Sequence, residues 1–313
     1  ASHAGGNEHH VGPFQDLGDP FLVFERSITP HGWVGASTQA LGNPRAELQQ
    51  RFRRNVVKCL CVRVGTNEID TIDVMDVNAG DHGKKFATNF DPETNMLEIQ
   101  GDSFYWENEE WKQVPCHSRM LEFEFPLVGK HKVYSMAHDE VRSMQEFIPA
   151  KRIEFWMGFG DKYLNYFNCM RDIGLLSPDP LTLHDGTVVQ PLHVLKALLP
   201  DPTSLAPGYT GKTCIGTWVQ GTKDGKQRSV FIYNNADHEV AYEDVEHQAI
   251  SYTTGVPAIT AALQFFRGEW ADKGVFNMEQ LNPDPFLETM PSIGLDWHVQ
   301  ELEPGQPVIH KLK

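Results

Sequence analysis

Residues 69–83 read Ile69-Asp70-Thr71-Ile72-Asp73-Val74-Met75-Asp76-Val77-Asn78-Ala79-Gly80-Asp81-His82-Gly83, and this stretch decides the fold. Ile69, Ile72, Val74 and Val77 form a β-branched run, the composition of a strand. From Asn78 the chain turns polar and glycine-rich, so the strand runs into a loop. Mixed α/β architectures place ligand-binding groups in such loops, because the strand fixes the loop while its polar groups stay accessible.

Downstream, strands and helices interleave. Tyr105-Trp106-Glu107-Asn108-Glu109-Glu110-Trp111 reads as a tight hairpin, with aromatic residues flanking an Asn-centred turn. Met120 to Phe125 alternates, with Leu121, Phe123 and Phe125 on one face and Glu122 and Glu124 on the other, the period of a half-buried strand. Arg152 to Met157 is a further strand. Helical spacing runs through His138 to Ile148, through Asp161 to Ile173 with Gly174 at its end, and through Leu192 to Leu199 between two prolines. Strands over 213–220 and 228–234 flank a loop whose Asp224-Gly225 supplies the positive φ of a hairpin turn. Thr254 then reads as the cap of a helix with Pro257 in its first turn and Gly268 at its stop. A short helix after Asn282-Pro283 and a closing strand over 295–302 complete the pattern. The fold class is therefore α+β, a mixed sheet with flanking helices.

Upstream, residues 1–67 read differently. Only 47–57 could form a short basic helix, and 21–24 and 59–64 short strands, so this segment is expected to be poorly ordered. The division expected is 1–67, a substrate domain over 68–250, and a C-terminal helix-strand segment over 251–313.

Composition narrows the function. The chain has 313 residues, with 42 Asp+Glu against 27 Lys+Arg and a net charge of −15. Nucleic-acid affinity rests on Lys and Arg neutralising phosphates, so this balance argues against a nucleic-acid partner. Apolar runs are short and broken, so no membrane span is expected. Five scattered cysteines, Cys59, Cys61, Cys116, Cys169 and Cys214, fit reduced thiols in a cytoplasmic protein better than a disulfide or zinc framework.

Two loops carry candidate chemistry. Asp81, His82, Thr88 and Asn89 crowd the glycine-rich turn after the first strand, where a His–Asp neighbourhood could move protons near neutral pH; local hydrogen bonding within the turn is the alternative. Asp237 and His238 end another strand, and Thr253, Thr254 and Gly255 stand where a helix start would offer free N–H groups to an anion. Asp81, His82, Asp237 and His238 could ligate a metal only by folding together, and no diagnostic spacing supports a metal. Ala206 to Thr213 fits a loose phosphate-loop pattern, but a strand rather than a helix follows it. No Gly-x-Gly-x-x-Gly occurs, and the aromatic residues near Phe155-Trp156 and Tyr163-Tyr166-Phe167 read as core.

These segments carry a resemblance. Asn78 to Gly83 with Phe86 to Phe90, Tyr105 to Asn108, Phe155 to Gly160, Leu199 to Pro202, Asp237-His238, Gln248 to Pro257 and Gly274 to Glu279 look like the substrate domain of the carboxynorspermidine synthase family. That family lies within the saccharopine dehydrogenase-like superfamily, and the resemblance runs in order from about Glu68 to about Leu302. It implies an oxidoreductase of polyamine (spermidine) biosynthesis, which uses NADPH to join aspartate β-semialdehyde to a diamine by reducing the imine to a CH–NH bond. By the same resemblance Asp81, His82 and Asn89 approach the imine, and Thr88, Asp237, His238, Thr253 and Thr254 serve the substrate. Gly255 would approach the cofactor, and a homodimer is implied. Residues 1–67 do not resemble the family's Rossmann domain. The expectation is a truncated chain with a genuine substrate domain, exposing an apolar face over Thr254 to Leu302. The other reading is a catalytically inactive remnant that binds polyamines or proteins.

Overall fold

The computed structural model describes residues 68–270 and 274–312. The sequence features proposed within 1–67, with Cys59 and Cys61, lie outside these residues.

The opening stretch forms strand β1 (Glu68–Asn78), and the sheet grows on both sides of it. On one side β1 pairs in parallel with β6 (Ala150–Gly158). On the other it pairs antiparallel with β9 (Lys212–Lys223), which turns at Asp224-Gly225 into β10 (Lys226–Asp237). Both turn residues have positive φ (51° and 75°), as the hairpin signal requires. Beyond β6 come β5 (Gly129–Met136) and β4 (Arg119–Phe125); β11 (His298–Leu302) and β12 (His310–Lys311) close the two edges. A hairpin of β2 (Ser103–Glu107) and β3 (Glu110–Val114) turns at Asn108 and Glu109, both at positive φ, and docks on the start of β6.

Alternation along β1 gives the sheet two unlike faces. Ile72, Val74 and Asp76 point to one side. That side is covered by α1 (Pro92–Gln100), α2 (Glu140–Phe147), α3 (Asp161–Asp172) and α4 (Pro191–Leu198), through Met96, Ile99, Val141, Met144, Phe167, Leu192 and Leu195. A second group, α5 (His238–Val245), α6 (Ala249–Phe266) and α7 (Asp284–Thr289), packs on the same side over Val230, Ile232 and Ala236 of β10.

Asp73, Met75 and Val77 point the other way, into a closed curl. The sheet bends until Phe123 of β4 meets Trp218 of β9 and Phe231 of β10, with ring centroids 5.3 and 5.0 Å apart.

Three readings from sequence need correction. The helix proposed to start at Thr254 starts at Ala249, so Pro257 lies in its interior rather than in its first turn. Residue 251 therefore falls within a helix. The C-terminal segment also buries much of its apolar surface against the sheet, through Val256, Ala261, Phe286, Leu287, Met290 and Leu295. Phe265, Phe266, Val275 and Val299 are its exposed apolar side chains. Helix α1 was not expected, although Asp91 and Pro92 announce it. Asp91 Oδ1 accepts the Thr94 N–H at 3.0 Å, and proline in a first turn forfeits no helical bond.

Candidate active site

The two helix groups part over the C-terminal end of β1, leaving a cavity of about 380 Å³ on the face that Asp76 shares. Its floor is the sheet: Val74, Asp76 and Asn78 from β1, Phe155 and Met157 from β6, Ile215 and Thr217 from β9, and Asn234 from β10. Helix α1 contributes Asn95, Glu98 and Ile99 to one wall. Helix α6 contributes Ile250, Thr253, Thr254 and Pro257 to the opposite wall, an i, i+3, i+4, i+7 stripe. A second hollow beside α4, lined by Val189, Val194 and Leu198, carries almost no polar surface.

The glycine-rich loop is held by a chain of neutral hydrogen bonds. His238 is fully buried, and its Nδ1 accepts the Ala249 N–H at 3.1 Å, so Nε2–H donates to Asn78 Oδ1 at 2.9 Å. Asn78 Nδ2 donates to the Tyr209 oxygen at 2.7 Å, and Tyr209 O–H donates to Asn89 Oδ1 at 2.8 Å. The rings of Tyr209 and His238 stack with centroids 3.6 Å apart. Gly80 passes directly over this stack. A Cβ there would lie 2.7 Å from both rings, so only glycine fits. Burial holds His238 down to about 4, and the imidazole is neutral at physiological pH.

The sequence-derived site residues take different places. His82 lines the cavity edge-on to Tyr209, 5.5 Å between centroids. Burial lowers its pKa, with Asp81 opposing and Lys162 and Lys84 assisting. Its Nδ1 accepts the Lys84 N–H at 3.0 Å, which leaves Nε2 to carry the proton. Asp81 lies at the mouth, with Oδ1 closing a turn on Gly83 N–H at 2.7 Å. Thr88 and Asn89 also line the cavity, though the Thr88 hydroxyl is committed to the Phe90 carbonyl at 2.8 Å.

Asp237 and His238 stand behind the wall rather than on it. Asp237 caps α5 through the Glu239 and Val240 N–H groups and pairs with Lys212, whose ammonium helps hold its carboxyl below the usual range against the opposing effect of burial. Thr253 and Thr254 line the cavity, yet they offer no helix N-terminus: both hydroxyls donate to the Ile250 carbonyl within α6. Instead, Pro257 has no N–H to give the Thr253 carbonyl, which turns that stretch of the wall toward accepting hydrogen bonds. Gly255 sits inside the helix, with open space where a Cβ would go.

Several lining residues escape a reading by local pattern. Asp76, Glu98 and Glu140 bring three carboxylates to the interior, while Lys84, Lys85 and Lys162 stand at exposed positions around the mouth. His138 pairs with Glu140 and stacks on Phe155, 4.2 Å between ring centroids. Phe155 and Tyr163, expected as core, also line the cavity, as does Phe159. Among the described residues, no cluster of three or more His, Cys, Asp or Glu is arranged to hold a metal ion. The described cysteines Cys116, Cys169 and Cys214 are free thiols. Cys116 lies 3.5 Å from His117 Nδ1, but burial raises the thiol and lowers the imidazole to about 4, the reverse of an activated pair.

Fold and cavity together define an α+β domain whose curled mixed sheet carries a polar, acid-lined cavity on its open face. The comparisons place that class. The family model for the saccharopine dehydrogenase C-terminal domain matches residues 50–295, and the chain belongs to that family. It is 95% identical over 247 residues to a carboxynorspermidine synthase of Vibrio alginolyticus, covering 79% of this chain and 60% of the relative. It is 42% identical over 233 residues to a carboxyaminopropylagmatine dehydrogenase of Synechocystis, covering 74% of this chain and 58% of that one. The chain thus spans about 60% of the length of the curated relatives it matches. The fold is shared with a saccharopine dehydrogenase (L-Glu forming) of Saccharomyces cerevisiae at a TM-score of 0.58 and 10% identity, over 80% of this chain and 71% of the other.

Among the described residues no Gly-x-Gly-x-x-Gly turn joins a strand to a helix: the parallel strand β6 passes through Gly158-Phe159-Gly160 into α3 without a third glycine, and Gly255 is helical. No residue of this chain is therefore assigned to the cofactor. Among the described residues, no helix is long and apolar enough to cross a membrane.

Proposed function

We propose that this chain forms the substrate-binding part of an NADPH-dependent oxidoreductase of polyamine biosynthesis, one that joins aspartate β-semialdehyde to a diamine and reduces the resulting imine. The observation that carries this reading is the charge layout of the cavity, with carboxylates in the interior and lysines around the mouth. A diamine is dicationic in water and gains from an interior of carboxylates, where the low dielectric strengthens each contact. The aldehyde partner carries a carboxylate, which the lysines at the mouth suit. The strong similarity to a carboxynorspermidine synthase supports the same substrates.

Condensation joins the amine nitrogen to the aldehyde carbon and expels one water, leaving a C=N bond whose protonated form is cationic. His82, with its proton on Nε2, can donate a hydrogen bond to the departing oxygen from the cavity edge, while the protons that leave with that oxygen as water come from the amine nitrogen by way of solvent. Asp81 and Asn89 flank the same loop and favour the cationic imine. The hydride step is routed through no residue here. A cytoplasmic setting and a homodimer complete the reading, the latter checked by sedimentation of the purified chain.

Titrating the 313-residue chain with 1,3-diaminopropane and with putrescine by calorimetry tests the proposal. Binding that weakens with added salt is expected, and the absence of any diamine binding overturns it. In a full-length relative, substituting Asp81 or His82 by Ala is expected to reduce turnover; unchanged turnover removes those residues from the chemistry.

A further inference from the structure

The α6 wall of the cavity accepts hydrogen bonds and has none to give. Thr253 and Thr254 line the cavity, and their hydroxyls donate to the Ile250 carbonyl at 3.2 and 2.9 Å. A hydroxyl has one hydrogen, so once that is spent only lone pairs remain for a ligand. The Thr253 carbonyl points one turn on, toward residue 257, whose N–H would satisfy it in a regular helix. Pro257 holds that position and has no N–H. Thr253 and Pro257 both line the cavity, so the carbonyl between them falls on the stripe that faces it.

Such a surface selects by chemistry. A carboxylate or an aldehyde oxygen sets lone pair against lone pair there and gains nothing. Water donates twice but carries no charge, and Asp76 and Glu98 line the same interior from β1 and α1. An alkylammonium has three N–H donors, no acceptor and a positive charge. Aspartate β-semialdehyde also carries an ammonium, yet its carboxylate is opposed by the interior acids. Proline inside a helix forfeits a backbone bond and crowds the preceding turn. A helix that keeps one where the orphaned carbonyl meets a ligand cavity turns that loss into a binding group.

We propose that the Thr253 carbonyl, with the Thr253 and Thr254 hydroxyl oxygens beside it, receives an ammonium group of the diamine. Pro257 is the positioning residue, because it leaves that carbonyl without its helical donor. Thr253 and Thr254 are specificity-determining residues, and the assignment rests on the reading of the cavity as a diamine site. The interior acids attract any cation, whereas this wall asks in addition for N–H donors.

Calorimetry on the full chain with 1,3-diaminopropane tests the wall. Pro257→Ala and Pro257→Val each bring an N–H to the Thr253 carbonyl, one without and one with apolar bulk. Both are expected to weaken diamine binding about tenfold, the loss of one charge-assisted hydrogen bond. Both should also raise the melting temperature, since the helix regains a bond. The salt dependence of binding stays as in wild type, because no charge has changed. Thr254→Val is expected to weaken binding severalfold, and Thr254→Ser to keep it. Circular dichroism confirms folding, and the Thr254 variants carry the test should those at Pro257 not fold. Wild-type affinity in the folded Pro257 variants, or a loss in Thr254→Val that Thr254→Ser matches, overturns the proposal while leaving the cavity reading intact. So does a loss confined to L-2-aminobutyrate, whose ammonium stands beside a carboxylate as in the aldehyde substrate. Failure of the wild-type chain to bind any diamine overturns the reading beneath it.

Discussion

The two faces of one strand make different use of the same residue type. Asp73 and Asp76 are three residues apart on β1 and point to opposite sides of the sheet. Asp73 is wholly buried within the curl and fully engaged: Arg152 Nη2 donates to it at 2.7 Å and Trp156 Nε1 at 2.8 Å. The chain continues, Arg152 reaching Glu154 at 3.0 Å and Arg119 gripping both Glu154 oxygens at 2.9 Å, with its guanidinium 4.3 Å above the Tyr105 ring. Two carboxylates and two guanidiniums close a neutral set. Burial pushes Asp73 and Glu154 upward while these bonds pull the other way. Asp76, by contrast, is half-buried on the floor of the cavity. A carboxylate locked between guanidiniums inside the curl holds the fold, whereas one on a cavity floor adds to the field that a ligand meets.

That contrast can be broken from its closed side first. Arg152→Ala strands two buried carboxylates and is expected to cost about 3–5 kcal/mol, seen as a collapse of the urea midpoint, a larger loss than that from Asp76→Asn on the half-buried floor. Stability should also fall with acid. His238 and His117 are held down to about 4 when folded and titrate near 6.5 when unfolded, so the unfolded chain binds more protons between those values. Stability is therefore complete above about pH 6.5 and erodes as pH drops toward 4; thermal melts across this window check it, and a His238→Gln variant should show a shallower slope. A flat profile in the wild type would undo the neutral-histidine account.

Smaller effects sharpen the open side. Gly80→Ala drives a methyl group against the His238 and Tyr209 rings and is expected to cost about 1–3 kcal/mol. Tyr209→Phe removes the link between Asn78 and Asn89, about 1–2 kcal/mol by denaturant titration, and should loosen ligand binding as well. Asp237→Ala loses a helix cap for about 1 kcal/mol and should leave diamine affinity untouched if the residue only supports the wall.

Much of the fold was legible because its signals are local. Alternation in β4, the Asn108 and Asp224-Gly225 turns, and the prolines around α4 each depend on a few neighbouring residues. The start of α6 was misread because Thr254 and Pro257 imitate a cap and a first turn. The helix in fact absorbs Pro257, because Val256, Thr260 and Ala261 bury its inner face against neighbouring elements. The loop from Asn78 to Asn89 announced itself by composition. Asp76, His138 and Glu140 did not, for each sits in an ordinary strand, loop or helix start, and only sheet register and helix packing bring them to one cavity. Tyr209 was hidden inside a motif set aside as a phosphate-binding decoy because a strand follows it.

One small feature governs how the cavity receives what enters it. Gly211, at φ +88°, lets the start of β9 run so close to Ala79 that a Cβ would meet its carbonyl at 2.8 Å, and Asp81 and Thr210 bridge through two backbone hydrogen bonds. The loop leaving β1 is thereby stitched to the chain entering β9, and the mouth inherits the stiffness of the sheet. A ligand meets a doorway already cut to shape, so little of its affinity is lost in ordering the frame.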